Sequence, residues 1–433
     1  MKVLVMNWVA LSLSNLRRLN QTLWLLTAIG VIIRVTAVLA LNDYHNPVTA
    51  EYGVVARNLV AGKGFVGGGW LGPEGPTALN TPIYPLFLAI WLWLGGPLPF
   101  LGVEICQAMI SALLIYLTGK IASHFINPTA GLLSSLIVTF YPPLIYFCKQ
   151  ISPAIFTTFF TIFSFFVLLY FFKKPSRSRA VILGLIWGIS CLVEPILLYA
   201  LPGAALLIAI SWYRGKLIKI LQKLIITLLI CLFVLSPWTV RNYIVFHRLV
   251  LLKTSFDLNF WLGNNPYATG FLYTASGEPM QGTLPKSMLE YLSSLNEAER
   301  YAVLRREAWQ WVKSHPFQFL SLTLRRIVYL WLISPTFLIT DQNIVEPAYF
   351  YVARGVIQVI LLAWALAGSV LAHRKYRTFL GVSVWWLIAF TAPYAVTVAG
   401  NTRYRLPVEP ILIMLSTVSL CKLTERGQKE VAG

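Results

Sequence analysis

Charge, and negative charge above all, is what this sequence has little of. Among 433 residues only 12% are Asp, Glu, Lys or Arg, and 16 are acidic. An average soluble domain is about 25% charged. With 57% hydrophobic residues, a soluble chain of this length could not screen its apolar surface with so few charges. A soluble enzyme and a disordered chain are thereby excluded. Cysteine is sparse too: Cys106, Cys148, Cys191, Cys231 and Cys421 lie in or beside apolar runs with no CxxC spacing. They read as small buried hydrophobes, which excludes a disulfide scaffold. No internal repeat and no low-complexity tract is visible. The first long apolar run follows Arg17 and Arg18 and lacks a small-residue cleavage site, so it reads as a retained anchor helix.

Long apolar runs and clustered basic residues are what remains. The 35 Lys and Arg give a formal charge of +19. They form small groups between the runs rather than one patch, an arrangement that sets topology and meets anionic head groups instead of nucleic acid. A membrane-crossing helix needs about 20 mostly apolar residues. Candidate runs are 23–41, 83–99, 101–123, 129–148, 151–172, 180–193, 196–212, 217–237, 317–338, 350–372, 378–398 and 406–421. Lys/Arg clusters face the cytoplasm. The strong ones are Arg17-Arg18, Lys173-Lys174 with Arg177 and Arg179, Arg214 to Lys223, Arg374-Lys375 with Arg377, and Lys422 to Lys429. All of them fall inside if 83–99, broken by Pro82, Pro85 and Gly95-Gly96, and 317–338, carrying Arg325 and Arg326, do not cross.

The expected fold class is an all-α polytopic membrane protein with about ten transmembrane helices and with interfacial helices in two large extracytoplasmic loops. Its parts are a basic cytoplasmic N-terminus (1–22), a transmembrane core (23–237) with a first outer loop at 42–100, an outer region (238–349), C-terminal transmembrane helices (350–422) and a cytoplasmic tail (423–433). Residues 297–313 have helical spacing, with Ala302, Ala308, Trp309 and Val312 on one side and Asn296 as N-cap.

Because acids are few, their positions discriminate. Asp43, Glu51 and Glu74 lie in the first outer loop, and Glu194 ends a helix before Pro195. Glu51 opens a segment that reads as a short helix stopped by Gly62, where the dipole favours a carboxylate. A helix-start acid with no other task has the same appearance. Cations on outer helix ends are Arg241, Arg403 and Arg405, with Arg57 and Lys63 in the Glu51 loop. Each could simply reach lipid head groups. His247 and His315 have no second ligand at i+3 or i+4.

Several landmarks carry a family resemblance. They are Ala50-Glu51-Tyr52, Ala56-Arg57-Asn58-Leu59, Gly62-Lys63-Gly64-Phe65, Gly75-Pro76-Thr77-Ala78 and Pro82-Ile83-Tyr84-Pro85. Further along come Ser236-Pro237-Trp238-Thr239-Val240-Arg241-Asn242-Tyr243, Gly263-Asn264-Asn265-Pro266, His315-Pro316 and Arg403-Tyr404-Arg405-Leu406-Pro407. In this order the chain resembles the C-type (GT-C) membrane glycosyltransferases, the group of dolichyl-phosphate-mannose protein mannosyltransferases and bacterial aminoarabinose transferases.

The resemblance implies inverting transfer of one sugar from a polyprenyl-phosphate carrier to a glycan, lipid or protein acceptor outside the cytoplasm. The membrane implied is a bacterial inner or plasma membrane. Glu51 takes the general-base role by position, with Asp43 the runner-up; the paired acid of many members is replaced here by Val48-Thr49-Ala50 before a single Glu51. Donor phosphate falls to Arg241, Arg403, Arg405, Arg57 and Lys63, with Tyr52, Glu194, Asn264 and Tyr84 in support. No cofactor is expected. Some members use a divalent cation near the first-loop acids, but one well-placed acid leaves no metal expected here. Chemically the set is coherent, because a carboxylate activates a hydroxyl and guanidinium forks stabilise a departing phosphate. Two other readings remain open at this stage: a lipid-linked sugar flippase or exporter, and a non-catalytic relative of the enzymes.

Overall fold

The computed structural model of the protein describes residues 2–41, 43–68, 71–332, 348–372, 376–398 and 402–432. In lipid each backbone N–H and C=O must be bonded within its own segment, so the apolar runs become helices. The first is α1 (Lys2–Leu41). The segment after α1 then forms α2 (Ala50–Val60), a pair of two-residue antiparallel strands, β1 (Val66–Gly67) and β2 (Gly75–Pro76), and α3 (Ile83–Leu94). Next come α4 (Pro99–Phe125), α5 (Pro128–Phe140), α6 (Pro142–Tyr146), α7 (Ala154–Lys173), α8 (Arg177–Cys191), α9 (Leu197–Trp212) and α10 (Leu217–Phe246). The stretch after α10 holds α11 (Ser255–Gly263), α12 (Lys286–Ser293), α13 (Glu297–Ser314) and α14 (Pro316–Trp331). The chain closes with α15 (Ala348–Ala372), α16 (Arg377–Val396) and α17 (Glu409–Ala432).

Six helices among the described residues are long and apolar enough to cross a membrane: Arg17–Leu41, Pro99–Phe125, Ala154–Lys173, Arg214–Phe246, Val352–Leu371 and Arg377–Val396. The protein is an integral membrane protein. Length and hydropathy alone support these six rather than about ten. Pro142 and Pro143 divide the run 129–148 into α5 and α6, the 15 residues of α8 and 16 of α9 are short, and α17 carries Glu409, Lys422 and Glu425. The run 83–99 yields the 12-residue α3, about 18 Å long, which packs on α2.

The apolar helices pack through small residues and backbone contacts, since lipid tails give no hydrophobic drive between helices. On α8, a Cβ at Gly184 would meet the Thr227 carbonyl at 2.6 Å, and one at Gly188 would meet Val234 at 2.6 Å. That Gly-x-x-x-Gly face lets α10 approach closely. Arg34, wholly buried in α1, donates to Ser111 at 2.9 Å and to the Val138 and Thr139 carbonyls at 2.9 and 3.1 Å. It satisfies the C-terminal carbonyls of α5 and binds three helices together.

Outside the spans a second apolar cluster gathers Leu258, Trp261, Tyr301, Leu304, Ala308 and Val312 where α11 meets α13. Each fully buried leucine there, Leu304 among them, contributes roughly 1.5–3 kcal/mol. The helix at 297–313 starts at the expected cap: Asn296 Oδ1 accepts from the Glu299 N–H at 3.0 Å. Its buried face is rotated from the one expected. Tyr301 and Leu304 are inside with Ala308 and Val312, whereas Trp309 is half exposed. Arginines decide a second difference. Arg325 is exposed, but Arg326 is buried and donates to the Ala395 carbonyl at 3.1 Å, the Gly263 carbonyl and Asn264 Oδ1 at 3.2 Å. So α14 packs on α16 through a guanidinium that satisfies helix-end carbonyls.

Candidate active site

Helix α2 carries the acid that opens the site. Glu51 sits in its first turn, and the helix ends where Gly62 adopts φ +74°, a conformation glycine takes without strain. Tyr52 leans edge-on against Tyr84, ring centres 5.4 Å apart. Tyr84 is buried and donates to Gln107 Oε1 at 2.8 Å, and Gln107 in turn donates to the Cys148 and Gln150 carbonyls. Nearly two turns further, Asn58 donates to the Val66 carbonyl at 3.0 Å and to Glu74 at 2.6 Å. These bonds fix the loop behind Glu51 from both sides.

The far end of that loop is fixed by a residue that the sequence does not flag. Glu297, buried at the start of α13, accepts from Thr77 Oγ1 at 2.5 Å, the Ala78 N–H at 2.8 Å and Thr254 Oγ1 at 2.6 Å. A carboxylate with three donors is a strong, charge-assisted junction. Arg241 adds to it, donating to the Thr77 and Phe65 carbonyls at 2.8 and 2.9 Å beneath the Phe65 and Trp238 rings.

Between these supports lies a cavity of about 210 Å³. Glu51 and Tyr52 of α2, Asn80, Glu194 between α8 and α9, Lys253 after α10, and Arg403 and Tyr404 before α17 all line it. The Glu51 carboxylate makes no hydrogen bond or ion pair with any described residue, although Arg403 and Tyr52 lie within electrostatic reach. Arg403 donates to the Tyr404 hydroxyl at 2.9 Å and lies over that ring, which stacks on Tyr394 at 4.3 Å. Burial acts against the Arg403 charge, but Tyr404, Tyr52 and Glu51 outweigh it, so its pKa lies above the usual arginine value. The guanidinium is permanently charged. Burial, partly offset by Arg403, raises the Tyr52 phenol far above its ordinary range, so it stays a neutral hydrogen-bonding group. Lys253 Nζ lies 3.3 Å from Glu194 Oε1. Asn80 is 7% exposed, and its Nδ2 finds no acceptor among the described residues.

Of the residues singled out in the sequence, Glu51, Tyr52, Glu194 and Arg403 meet in this cavity. The others do not line it. Asp43 pairs with Lys149 at 3.2 Å. Arg57 and Lys63 are exposed. Arg241 holds loop carbonyls, and Tyr84 backs Tyr52 from behind. Asn264 is buried, bonding the Phe260 and Val396 carbonyls at 2.7 and 2.8 Å. Arg405 pairs with Glu409 at 2.9 Å and donates to the Leu330 carbonyl. Sequence reasoning missed Lys253, Asn80 and Glu297. Only the Arg405–Glu409 spacing, i to i+4, carried a readable signal of internal pairing. Among the described residues no group of three His, Cys, Asp or Glu side chains is assembled that could hold a metal ion.

No family model and no curated protein matches the sequence. Solved structures do match in fold. The oligosaccharyltransferase of Archaeoglobus fulgidus, solved with Zn and sulfate, superposes with a TM-score of 0.56 at 15% identity over 94% of this chain and 50% of that one. The same organism's oligosaccharyltransferase AglB, in complex with an inhibitory peptide and a dolichol-phosphate, gives 0.54 at 13% identity over 95% of this chain and 51% of that one. This chain therefore spans about half the length of those enzymes. ArnT from Cupriavidus metallidurans bound to undecaprenyl phosphate matches more loosely, with a TM-score of 0.41 at 14% identity over 92% of this chain and 77% of that one. The fold is similar to that of the GT-C membrane glycosyltransferases.

Proposed function

We propose that the protein is an inverting glycosyltransferase. It moves a sugar from a polyprenyl-phosphate-linked donor to an acceptor on the extracytoplasmic side of a bacterial inner or plasma membrane. The observation that carries this reading is one cavity lined by both Glu51, whose carboxylate has no hydrogen bond or ion pair to a described residue, and a guanidinium, Arg403, braced on Tyr404. The acceptor oxygen attacks the anomeric carbon while its proton passes to Glu51. The bond from that carbon to the phosphate oxygen breaks on the opposite face, and its electron pair leaves with the lipid phosphate. Arg403 stabilises the charge that builds there. A phosphate is a good enough leaving group to depart without a general acid. Asn80 Nδ2 offers a further donor to sugar or phosphate oxygen. Removing the protein from its cell, with mass spectrometry of glycans and lipid-linked sugars, tests the reading. One polyprenyl-phosphate sugar should accumulate while one glycan loses the corresponding residue. An unchanged glycan and lipid profile would refute it.

The reading includes a topology. Ten crossings, by α1, α4, α5, α7, α8, α9, α10, α15, α16 and α17, leave both termini cytoplasmic. They also bring Glu51, Glu194, Lys253 and Arg403 to the outer side, where their sharing of one cavity supports the count. Positive-inside bias agrees, with Lys173 and Arg214 at inner ends. We expect an exposed cysteine at Lys63→Cys to react with an impermeant maleimide on intact cells, and Lys216→Cys to react only after permeabilisation. The reverse labelling would place the cavity in the cytoplasm.

A further inference from the structure

A second cavity, of about 510 Å³, lies beside the first. Its walls are mostly apolar, with Leu198 and Tyr199 of α9, Leu251, Phe256, and Ala392 and Pro393 of α16. Leu251, Phe256 and Tyr199 are exposed. The two cavities share a partition made of Glu194, Lys253, Ser255, Asn259, Tyr394 and Thr397. The Glu194–Lys253 ion pair therefore stands between an apolar space at the level of the outer helix ends and the polar space that holds Glu51 and Arg403.

That pair is loosely made. An ammonium has three donors, yet the single contact of Lys253 Nζ is with Glu194 Oε1 at 3.3 Å, and no other hydrogen bond of this amine exists among the described residues. The side chains are 29% and 13% exposed respectively, so solvent screening of the pair is limited. A lysine amine is a point charge on a flexible stem that can change partners by rotation. A carboxylate offers it one negative charge. A phosphate monoester offers about −1.5 to −2 at neutral pH and three acceptor oxygens.

We propose that Lys253 is a phosphate-binding residue of the lipid carrier, held in reserve by Glu194. The carrier's phosphate enters at the partition, takes Lys253 from Glu194, and is shared between Lys253 and Arg403. This rests on the glycosyltransferase reading above and extends it to residues that no sequence motif marks. Partner exchange has a direction in the reaction. A donor phosphodiester carries one negative charge, whereas the released monoester carries more, so Lys253 is drawn from Glu194 most strongly as the sugar departs. Glu194 opposes the arrival of anion twice, by neutralising Lys253 and by presenting a like charge to it.

The test is equilibrium binding of undecaprenyl phosphate to the full-length protein in zwitterionic nanodiscs, with undecaprenol and inorganic phosphate as separate probes. Lys253→Ala should weaken undecaprenyl phosphate binding about tenfold, and Glu194→Gln should tighten it about fivefold. The double variant should behave like Lys253→Ala. Undecaprenol should bind all four proteins alike, and inorganic phosphate should compete only weakly, because the lipid supplies the apolar part. If Glu194→Gln weakens binding as much as Lys253→Ala, the pair is a structural link and the exchange is refuted. If neither change matters while Arg403→Ala abolishes binding, Lys253 has no role and the glycosyltransferase reading survives. If inorganic phosphate binds as well as the lipid, the occupant is free phosphate rather than the carrier. Failure of the unaltered protein to bind undecaprenyl phosphate at all would overturn both this proposal and the function on which it rests.

Discussion

Replacing Glu51 by Gln is expected to lower sugar transfer by about a hundred- to ten-thousandfold while leaving a folded, donor-binding protein. The carboxylate stands in the first turn of α2 without a hydrogen bond or ion pair to any described residue, so beyond its field on Arg403 and Tyr52 no contact with a described residue is lost with its charge. Gln keeps the shape and the cavity but cannot take a proton. The measurement is turnover of the purified, reconstituted protein with the lipid-linked sugar that accumulates in its absence, alongside thermal unfolding and donor binding. A variant that turns over normally would remove Glu51 from the chemistry. A variant that unfolds early would show that the carboxylate has a structural role after all.

Arg403→Ala should act on the other substrate. Loss of a guanidinium facing a phosphate in a half-buried site costs about 2–5 kcal/mol in donor affinity. Acceptor affinity should change little, because the acceptor hydroxyl is addressed from the Glu51 side. Arg403→Lys should recover only part of the loss, since an ammonium lacks the planar fork. Arg403 also braces Tyr404, which stacks on Tyr394. Phenylalanine at Tyr404 removes the hydroxyl that accepts from Arg403 and leaves the stack, which separates bracing from binding. Equal losses for donor and acceptor in Arg403→Ala would mean that the residue shapes the cavity rather than holding the donor.

Much of the fold was legible because it depends on local rules. Apolar runs, basic clusters and the Gly62 stop follow from hydropathy, charge and backbone sterics within a few residues. The site was only partly legible, and its residues show why. Arg241, Arg403 and Arg405 are equivalent in sequence, each an arginine beside an apolar run. In the structure Arg241 is occupied by loop carbonyls and Arg405 by Glu409, and of the three Arg403 alone lines the cavity. Which partner an arginine finds depends on chain segments far away. Lys253 was hidden for the same reason. It follows Val250-Leu251-Leu252 and looks like a lone cation at a membrane surface, and it reaches Glu194 only because the chain folds back after α10. Glu297 resembled a helix-start acid placed for the dipole, yet its Thr77 and Ala78 donors lie 220 and 219 residues earlier.

That last junction constrains how the protein could be altered. Thr77 and Ala78 belong to the segment between the first span and α3, whereas Glu297 and Thr254 belong to the stretch that follows α10. Grafting either stretch alone from a protein of similar fold, in the hope of exchanging acceptor preference, would break the two hydrogen bonds that join Glu297 to Thr77 and Ala78 and set the segment bearing Glu51 adrift. Specificity in this architecture has to be transplanted as a matched pair.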